Sequence, residues 1–189
     1  FHPVTGPQVE ANILHVDQQR LLERCTGANK FVIWDVGFGA AANVLAAIEA
    51  LKDCDTDIEI HSFDKTTAPI EFAIKHADEL GYLAAYRSEL NRLLTEKNIT
   101  IGRRIHWQLH LSDFREQLEK NHDLPAPNAI LYDPYAPVGN PDMWSLEHFK
   151  LLRSRLRSDT PCLLTNYTRS TAVRVTLLLA GFYVGRGCA

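Results

Sequence analysis

Four aspartates, Asp35, Asp64, Asp113 and Asp133, lie at or just beyond the ends of short apolar runs. A carboxylate so placed can accept hydrogen bonds from ribose hydroxyls or an amine, or take part in acid–base chemistry. Asp35 lies inside a glycine turn, Asp35-Val36-Gly37-Phe38-Gly39, that continues through Ala40, Ala41 and Ala42 to Asn43. Glycine at 37 and 39 allows unusual dihedrals and removes side chains that would block a ligand. A helix starting there would aim free N–H groups and the positive end of its dipole at the turn. That combination suits the adenosine part of a nucleotide-like cofactor. Asp64, 27 residues beyond Gly37, stands where an acidic residue can accept both ribose hydroxyl hydrogens; dinucleotide-binding folds use the device at about 20 residues. Asp113 is placed to read an adenine amino group. Asp133 opens a stiff loop, Pro134 to Met143, with three prolines, an aromatic and an amide, suited to holding a substrate group rigidly.

Each reading has a plainer competitor. Gly-x-Gly alone also describes an ordinary strand-to-helix turn. Aspartate after a strand often caps the next helix, which applies to Asp64 and more strongly to Asp113. The proline-rich loop can be a connector with Trp144 as a core anchor, the favoured reading for Trp144. The four cysteines (25, 54, 162, 188) lack Cys-x-x-Cys spacing, which argues against zinc and a secreted disulfide framework. Cys162 reads as a small core residue, and a cytoplasmic protein is expected. The eight histidines show no metal spacing, so no metal is expected. No apolar run approaches the roughly 20 residues of a membrane span, so no membrane partner is expected. The net charge of −3 gives no overall basic footprint, so any nucleic-acid surface must be local.

The elements that must carry these residues follow from periodicity. Gln8 to Arg24 reads as a helix with Val9, Ile13, Val16 and Leu21/Leu22 as its stripe. Strands are expected at Phe31–Trp34, Ile58–Phe63, Ile105–Leu111, Ala129–Tyr132, Pro161–Tyr167 and Phe182–Val184. Helices are expected over 43–51, 68–80, 82–97, 114–120, 144–157 and 170–180. Alternation of this kind implies an α/β, Rossmann-like, doubly wound and mostly parallel sheet flanked by helices. Ligands bind beyond the carboxyl ends of such strands, at the switch point. One domain is expected over 1–189, with 1–28 as an N-terminal segment and helix and 29–189 as the Rossmann-like core. The chain begins at Phe1 and ends at Cys188-Ala189 without a polar tail, so its start, and in the same way its end, is expected to be missing.

Asp35-Val-Gly-Phe-Gly through Asn43 resembles the S-adenosylmethionine loop of class I methyltransferases. More narrowly, it is similar to the Gly-Phe-Gly-Thr-Gly-x-Asn form of the MnmC methyltransferase domain. Asp133-Pro-Tyr-Ala-Pro-Val-Gly-Asn-Pro-Asp-Met-Trp144 resembles that family's Asp-Gly-Phe-Ala-Pro-x-x-Asn-Pro-x-Met-Trp signature. The front end, His2 through Gly6 to Glu10-Ala11, looks like its substrate-side segment.

The resemblance implies S-adenosyl-L-methionine as cofactor, held by Asp35, Gly37, Phe38, Gly39, Asn43, Asp64, Asp113 and Asp133. It implies N-methylation of the 5-aminomethyl group of wobble (2-thio)uridine in the tRNA anticodon, downstream of a separate amine-forming enzyme. Asp133 would orient the amine or take its proton, with Tyr135 and Asn140 fixing it. Arg103, Arg104, Arg153, Arg155, Arg157 and Arg169 become candidate phosphate contacts. Ala41 replaces a family glycine, and Pro134-Tyr135 replaces Gly-Phe. The family's last strand and its flavin-dependent partner domain have no counterpart in this sequence, so no flavin is expected. The alternatives are a class I methyltransferase for a small amine or other substrate, and a non-catalytic Rossmann-like binding module.

Overall fold

A computed structural model describes residues 6–185 together with Gly187. His2 and the segment up to Thr5, part of the motif read above, lie outside the described residues, as does Cys188. The elements run α1 (Pro7–Ala11), a π-helical turn (Asn12–Asp17), α2 (Leu21–Cys25), β1 (Lys30–Val36), α3 (Ala42–Leu51), β2 (Asp57–Asp64), α4 (Ala68–Lys75), α5 (Ala77–Leu80), a 3₁₀ turn (Ala84–Tyr86), α6 (Arg87–Glu96), β3 (Asn98–Ile101), β4 (Ile105–Leu111), α7 (Phe114–Lys120), β5 (Ala129–Tyr132), a 3₁₀ turn (Pro141–Trp144), α8 (Leu146–Ser154), β6 (Leu163–Thr165) and α9 (Thr171–Leu179).

The six strands form one sheet in the order β3-β4-β2-β1-β5-β6. All neighbours are parallel except β3 and β4. The chain builds outward from β1 through β2 to β4, then returns to the other side of β1 for β5 and β6. The switch point therefore falls between β1 and β5, and their carboxyl ends open onto one cleft. Central strands bury both faces, which is why β1 reads as a continuous apolar run. On one face Phe31, Ile33, Ile58 and Ile60 pack under α3, α6 and the N-terminal helices. On the other, Val32, Trp34, Val36, Phe63 and Tyr132 pack under α7, α8 and α9.

Three expectations need correction. The N-terminal segment is not one helix: Arg20 takes a left-handed conformation at φ 51° and a π-helical turn precedes it. The wider turn rotates His15 and Gln19 inward while Val9, Ile13 and Leu22 stay exposed. Those polar chains are buried because they have partners: His15 Nδ1 lies 2.7 Å from Thr165 Oγ1, and Gln19 Nε2 donates to Thr165 Oγ1 at 2.7 Å and to the Ile130 carbonyl at 3.0 Å.

The strand that completes the six is β3, at a stretch where Asn98 reads as a helix stop, and Phe182–Val184 is not a strand. Lys97 (φ 63°) turns the chain out of α6, and Gly102 (φ 60°) turns it into β4, giving an antiparallel edge hairpin. Phe182 instead donates its N–H back to Leu177, and Tyr183 is fully exposed. Finally, Asp35 lies within β1, opposite Ser62 and Leu131, rather than inside the turn. Among the described residues, no helix is long and apolar enough to cross a membrane.

Candidate functional site

The glycine turn is laced between its two neighbouring strands. Gly37 and Phe38 both donate to the Phe63 carbonyl, at 3.0 and 3.1 Å, and Gly39 donates to Asp64 Oδ2 at 2.9 Å. On the other side Asp133 donates its N–H to the Val36 carbonyl at 2.8 Å. Gly37 adopts φ +88°, and a Cβ there would lie 2.1 Å from the Asp133 carbonyl oxygen. Glycine is thus required twice, by its dihedral and by the backbone that crosses it. Gly39 also has positive φ, but a Cβ on it would meet only the Gly37 carbonyl oxygen at 3.8 Å. Ala41 caps α3 in a left-handed conformation (φ 63°) with no side-chain cap. The first-turn N–H groups of α3 therefore face the turn without a side-chain acceptor, a favourable place for a ligand carboxylate.

Two carboxylates on the β1–β5 side share an unusual state. Asp35 is 1% exposed. Its Oδ2 accepts from Ser62 Oγ at 2.7 Å, and Ser62 in turn accepts from Trp107 Nε1 at 2.9 Å, while its Oδ1 has no partner. Burial pushes its pKa up to about 7, against the Ser62 hydrogen bond, and the charges of Asp133 and Asp64 add to the rise. Asp133 is half-buried, and its Oδ2 accepts from Asn43 Nδ2 at 3.3 Å. Burial raises its pKa to about 6; the Asn43 bond opposes this and Glu10 reinforces it. No lysine or arginine pairs with Asp35 or Asp133 among the described residues. Two carboxylates so placed suit a positively charged ligand.

The β2–β4 side differs. Asp64 spends one oxygen on Gly39 and offers the other to Thr66 N–H at 3.3 Å. Asp113 caps α7: its Oδ1 accepts from Arg115 N–H at 2.9 Å, and its Oδ2 is held by Lys65 Nζ at 2.7 Å and Arg115 Nη2 at 3.1 Å. Burial works against its ionisation, but Arg115 and Lys65 outweigh that and hold the carboxyl well below the usual range. Arg115 and Lys65 together place two contacts on each of its oxygens, so an adenine amino group would compete with these partners for it.

Other candidates are redistributed. Phe38 points into the core, 3% exposed and edge-on to Trp107 at 5.9 Å, so only its backbone belongs to the turn. Neither Tyr135 nor Asn140 touches the Asp133 carboxylate. Tyr135 sits at φ +71° with its ring in solvent, and its carbonyl accepts from Trp144 Nε1 at 2.9 Å. Asn140 donates to the Pro134 carbonyl at 3.0 Å. They shape the loop, while Trp144 is the core anchor expected of it, packed on Tyr132 and Phe149. Arg115 also reaches Asp142 at 3.0 Å, tying this loop to the α7 cap. Arg103 and Arg104 lie in the turn before β4, at the end of the sheet away from the cleft. Arg157 pairs with Asp159, Arg153 with the Gly181 carbonyl and Arg155 with the Asn121 carbonyl. Arg169, beyond β6, lies at the cleft end of the sheet and makes no ion pair among the described residues.

Sequence reasoning missed Tyr167, whose hydroxyl donates to Asn43 Oδ1 at 2.9 Å. It follows β6 as the aspartates follow their strands, but a search for carboxylates passes over it. Ser62, inside a strand, gave no signal. No group of three or more potential metal ligands forms among the described residues.

A family model described as S-adenosyl-L-methionine-dependent methyltransferase matches residues 81–188. The chain is 30% identical to the tRNA 5-methylaminomethyl-2-thiouridine biosynthesis bifunctional protein MnmC of Burkholderia vietnamiensis, over 96% of this chain and 29% of that protein. The Azoarcus protein of the same name is 29% identical over 97% of this chain and 30% of its own length. The chain therefore spans less than a third of these relatives. The crystal structure of MnmC2 from Aquifex aeolicus superposes with a TM-score of 0.75 at 26% identity, over 96% of this chain and 57% of that one.

Proposed function

Since the chain belongs to the S-adenosyl-L-methionine-dependent methyltransferase family, we propose that it methylates a primary amine, the 5-aminomethyl group of wobble (2-thio)uridine in tRNA. The observation that carries this reading is Asp133. Its backbone crosses the glycine turn at Gly37, it stands just past the carboxyl end of β5 beside β1, and no lysine or arginine of the described residues pairs with it. Such a carboxylate suits an ammonium that must lose a proton and then bear positive charge as the new bond forms. The relatives' names refer to 5-methylaminomethyl-2-thiouridine in tRNA, whose side chain is the methylated form of that amine.

The residues present fit the cofactor. Gly37 and Gly39 leave its approach open, the α3 N-terminus can receive its carboxylate, and Asp64, with a single backbone N–H on each oxygen, keeps acceptor capacity for the ribose hydroxyls. When bound, the sulfonium supplies an already activated methyl group. The chain's own contribution is placement and electrostatics. Asp133 accepts a hydrogen bond from the amine, aligns it for in-line attack and stabilises the charge growing on nitrogen. Asp35, sealed behind the turn, adds negative potential under the same spot.

In this reading residues 1–189 act as one methyltransferase domain in the cytoplasm, with tRNA as partner and a separate activity releasing the amine. Arg169 is the first candidate for a phosphate contact. Methyl transfer from labelled S-adenosylmethionine to tRNA carrying 5-aminomethyluridine tests it. Transfer to that nucleoside, lost when the amine is acetylated, is expected. Tight cofactor binding with no transfer to this tRNA would overturn the substrate and leave a methyltransferase for another amine.

A further inference from the structure

We propose that Tyr167 is a positioning residue: by donating its hydroxyl to Asn43 Oδ1, it fixes which edge of the Asn43 amide meets Asp133. The inference rests on the reading of Asp133 as the group that receives the amine. The chain of contacts is short. Tyr167 Oη lies 2.9 Å from Asn43 Oδ1, and Asn43 Nδ2 lies 3.3 Å from Asp133 Oδ2. Asn43 is 8% exposed, so its amide has little access to water as a substitute partner.

An asparagine amide presents a donor edge and an acceptor edge, and a half-turn exchanges them. An ionised carboxylate only accepts, so Asp133 demands the donor edge. The acceptor edge then needs a proton donor, and Tyr167 supplies it. A protonated Asp133 could instead donate to a turned amide, whose NH₂ would face the phenol oxygen. Tyr167 therefore favours the arrangement that belongs to the ionised carboxylate. Its phenol keeps its proton because burial, then the charges of Asp133, Glu10 and Asp35, push its pKa up.

The ring is itself held. His15 from the π-helical turn meets it edge-on, with centroids 5.2 Å apart at 83°, and His15 is tied to Thr165 two residues before Tyr167. The break in the N-terminal helix thus serves the cleft. Among the described residues, the ionisable side chains that interact electrostatically with Asp133 are Glu10 of α1, Asp35 of β1 and Tyr167 beyond β6. Apart from the tyrosine these are acidic, and among the side chains of the described residues it is the Asn43 amide whose hydrogen bond opposes protonation of Asp133.

Tyr167→Phe removes the hydroxyl and keeps the ring against His15. In the ligand-free protein, with folding checked by thermal melting, the carboxyl ¹³C resonance of Asp133 is followed through a pH titration. The midpoint is expected to rise by roughly 0.5 to 1 unit, the scale of one lost hydrogen bond to the charged form. kcat/KM is then expected to fall about threefold near pH 6, as that midpoint shift requires, with the loss shrinking as pH rises. In an Asn43→Ala background the same substitution should leave the midpoint unmoved. An unchanged midpoint, or an equal shift with and without Asn43, would overturn the positioning role. A wild type that binds cofactor yet transfers no methyl to the amine would overturn the substrate reading instead, and the titration would still decide for or against Tyr167.

Discussion

Asp133 and Asp113 look alike in the sequence, each just beyond the end of a strand, yet the fold treats them oppositely. On the β2–β4 side, Asp113 is enclosed by Arg115 and Lys65 and caps α7. On the β1–β5 side, no lysine or arginine of the described residues pairs with Asp133 or Asp35, and burial raises their pKa values to about 6 and about 7. A compensated carboxylate has already satisfied its charge and can only hold structure. An uncompensated one, kept in place by a backbone that cannot move away, costs stability unless a positive ligand arrives. The sulfonium of the cofactor and the proposed ammonium are both positive. In the proposed reading the two halves of the same sheet end thus divide the work, one bracing the loops and one receiving charge.

The largest expected effect separates the two aspartates directly. Asp133→Asn keeps the shape and one acceptor oxygen but loses the charge, and should lower methyl transfer roughly 10²-fold or more with near-normal cofactor affinity. Asp113→Asn should leave the rate within about threefold and cost about 1 kcal/mol of stability, through a weakened cap and ion pairs that are only partly buried. Single-turnover rates and thermal melts of both variants make the comparison. Similar rate losses in the two would break it.

Next in size is Gly37→Ala. The added Cβ would overlap the Asp133 carbonyl at 2.1 Å in a backbone that already needs φ +88°. We expect a loss of roughly 2 kcal/mol or more in stability, together with weakened cofactor binding. Gly39→Ala, with φ +51° and only the Gly37 carbonyl oxygen at 3.8 Å, should cost about 1 kcal/mol. Denaturant melts would rank them, and the reverse order would mean that the turn is not pressed against Asp133.

The pH dependence comes third. In its proposed role Asp133 must be ionised to receive the amine, and its raised pKa means that it takes up a proton as pH falls through about 6, where an ordinary aspartate stays ionised. kcat/KM should therefore drop about tenfold per unit below that value. The limb in kcat should lie lower, because a bound cation favours the carboxylate. An acid limb near pH 4 in kcat/KM would show that burial does not perturb this group.

Much of this architecture is written locally. The β1, β2, β4 and β5 runs show as apolar or alternating segments because buried central strands permit little else, and their ends placed four aspartates near one sheet edge. What could not be read is the state of those aspartates. That depends on Lys65 and Arg115 for Asp113, on Ser62 for Asp35 and on Asn43 for Asp133, and each such pairing exists only once distant elements are packed. The edge hairpin was missed because Asn98 reads equally well as a helix stop, although Ile99 and Ile101 alternate with Thr100 as a strand should. The break at Arg20 has no local signature, since it is dictated by where Thr165 and the Ile130 carbonyl can meet Gln19.

The smallest effect concerns Ala41, where the motif departs from the family glycine. The chain does not avoid the glycine conformation there. Ala41 adopts φ 63° and ψ 12°, the left-handed region, and its N–H still closes the turn onto the Phe38 carbonyl at 2.8 Å. Left-handed backbone costs a non-glycine residue roughly 1 kcal/mol. The methyl offsets part of this, because Ala41 is 0% exposed and packs in the core under α3. Glycine would remove the strain but lose that contact and add flexibility to the unfolded chain. The balance predicts that Ala41→Gly changes stability by less than about 1 kcal/mol, in the stabilising direction, and leaves cofactor affinity within about threefold. Paired denaturant melts and calorimetric titration with S-adenosylmethionine would measure both. A clear loss of affinity with the fold intact would show that the methyl group itself shapes the turn, and that the β1–β5 side depends on packing beneath the turn as well as on charge above it.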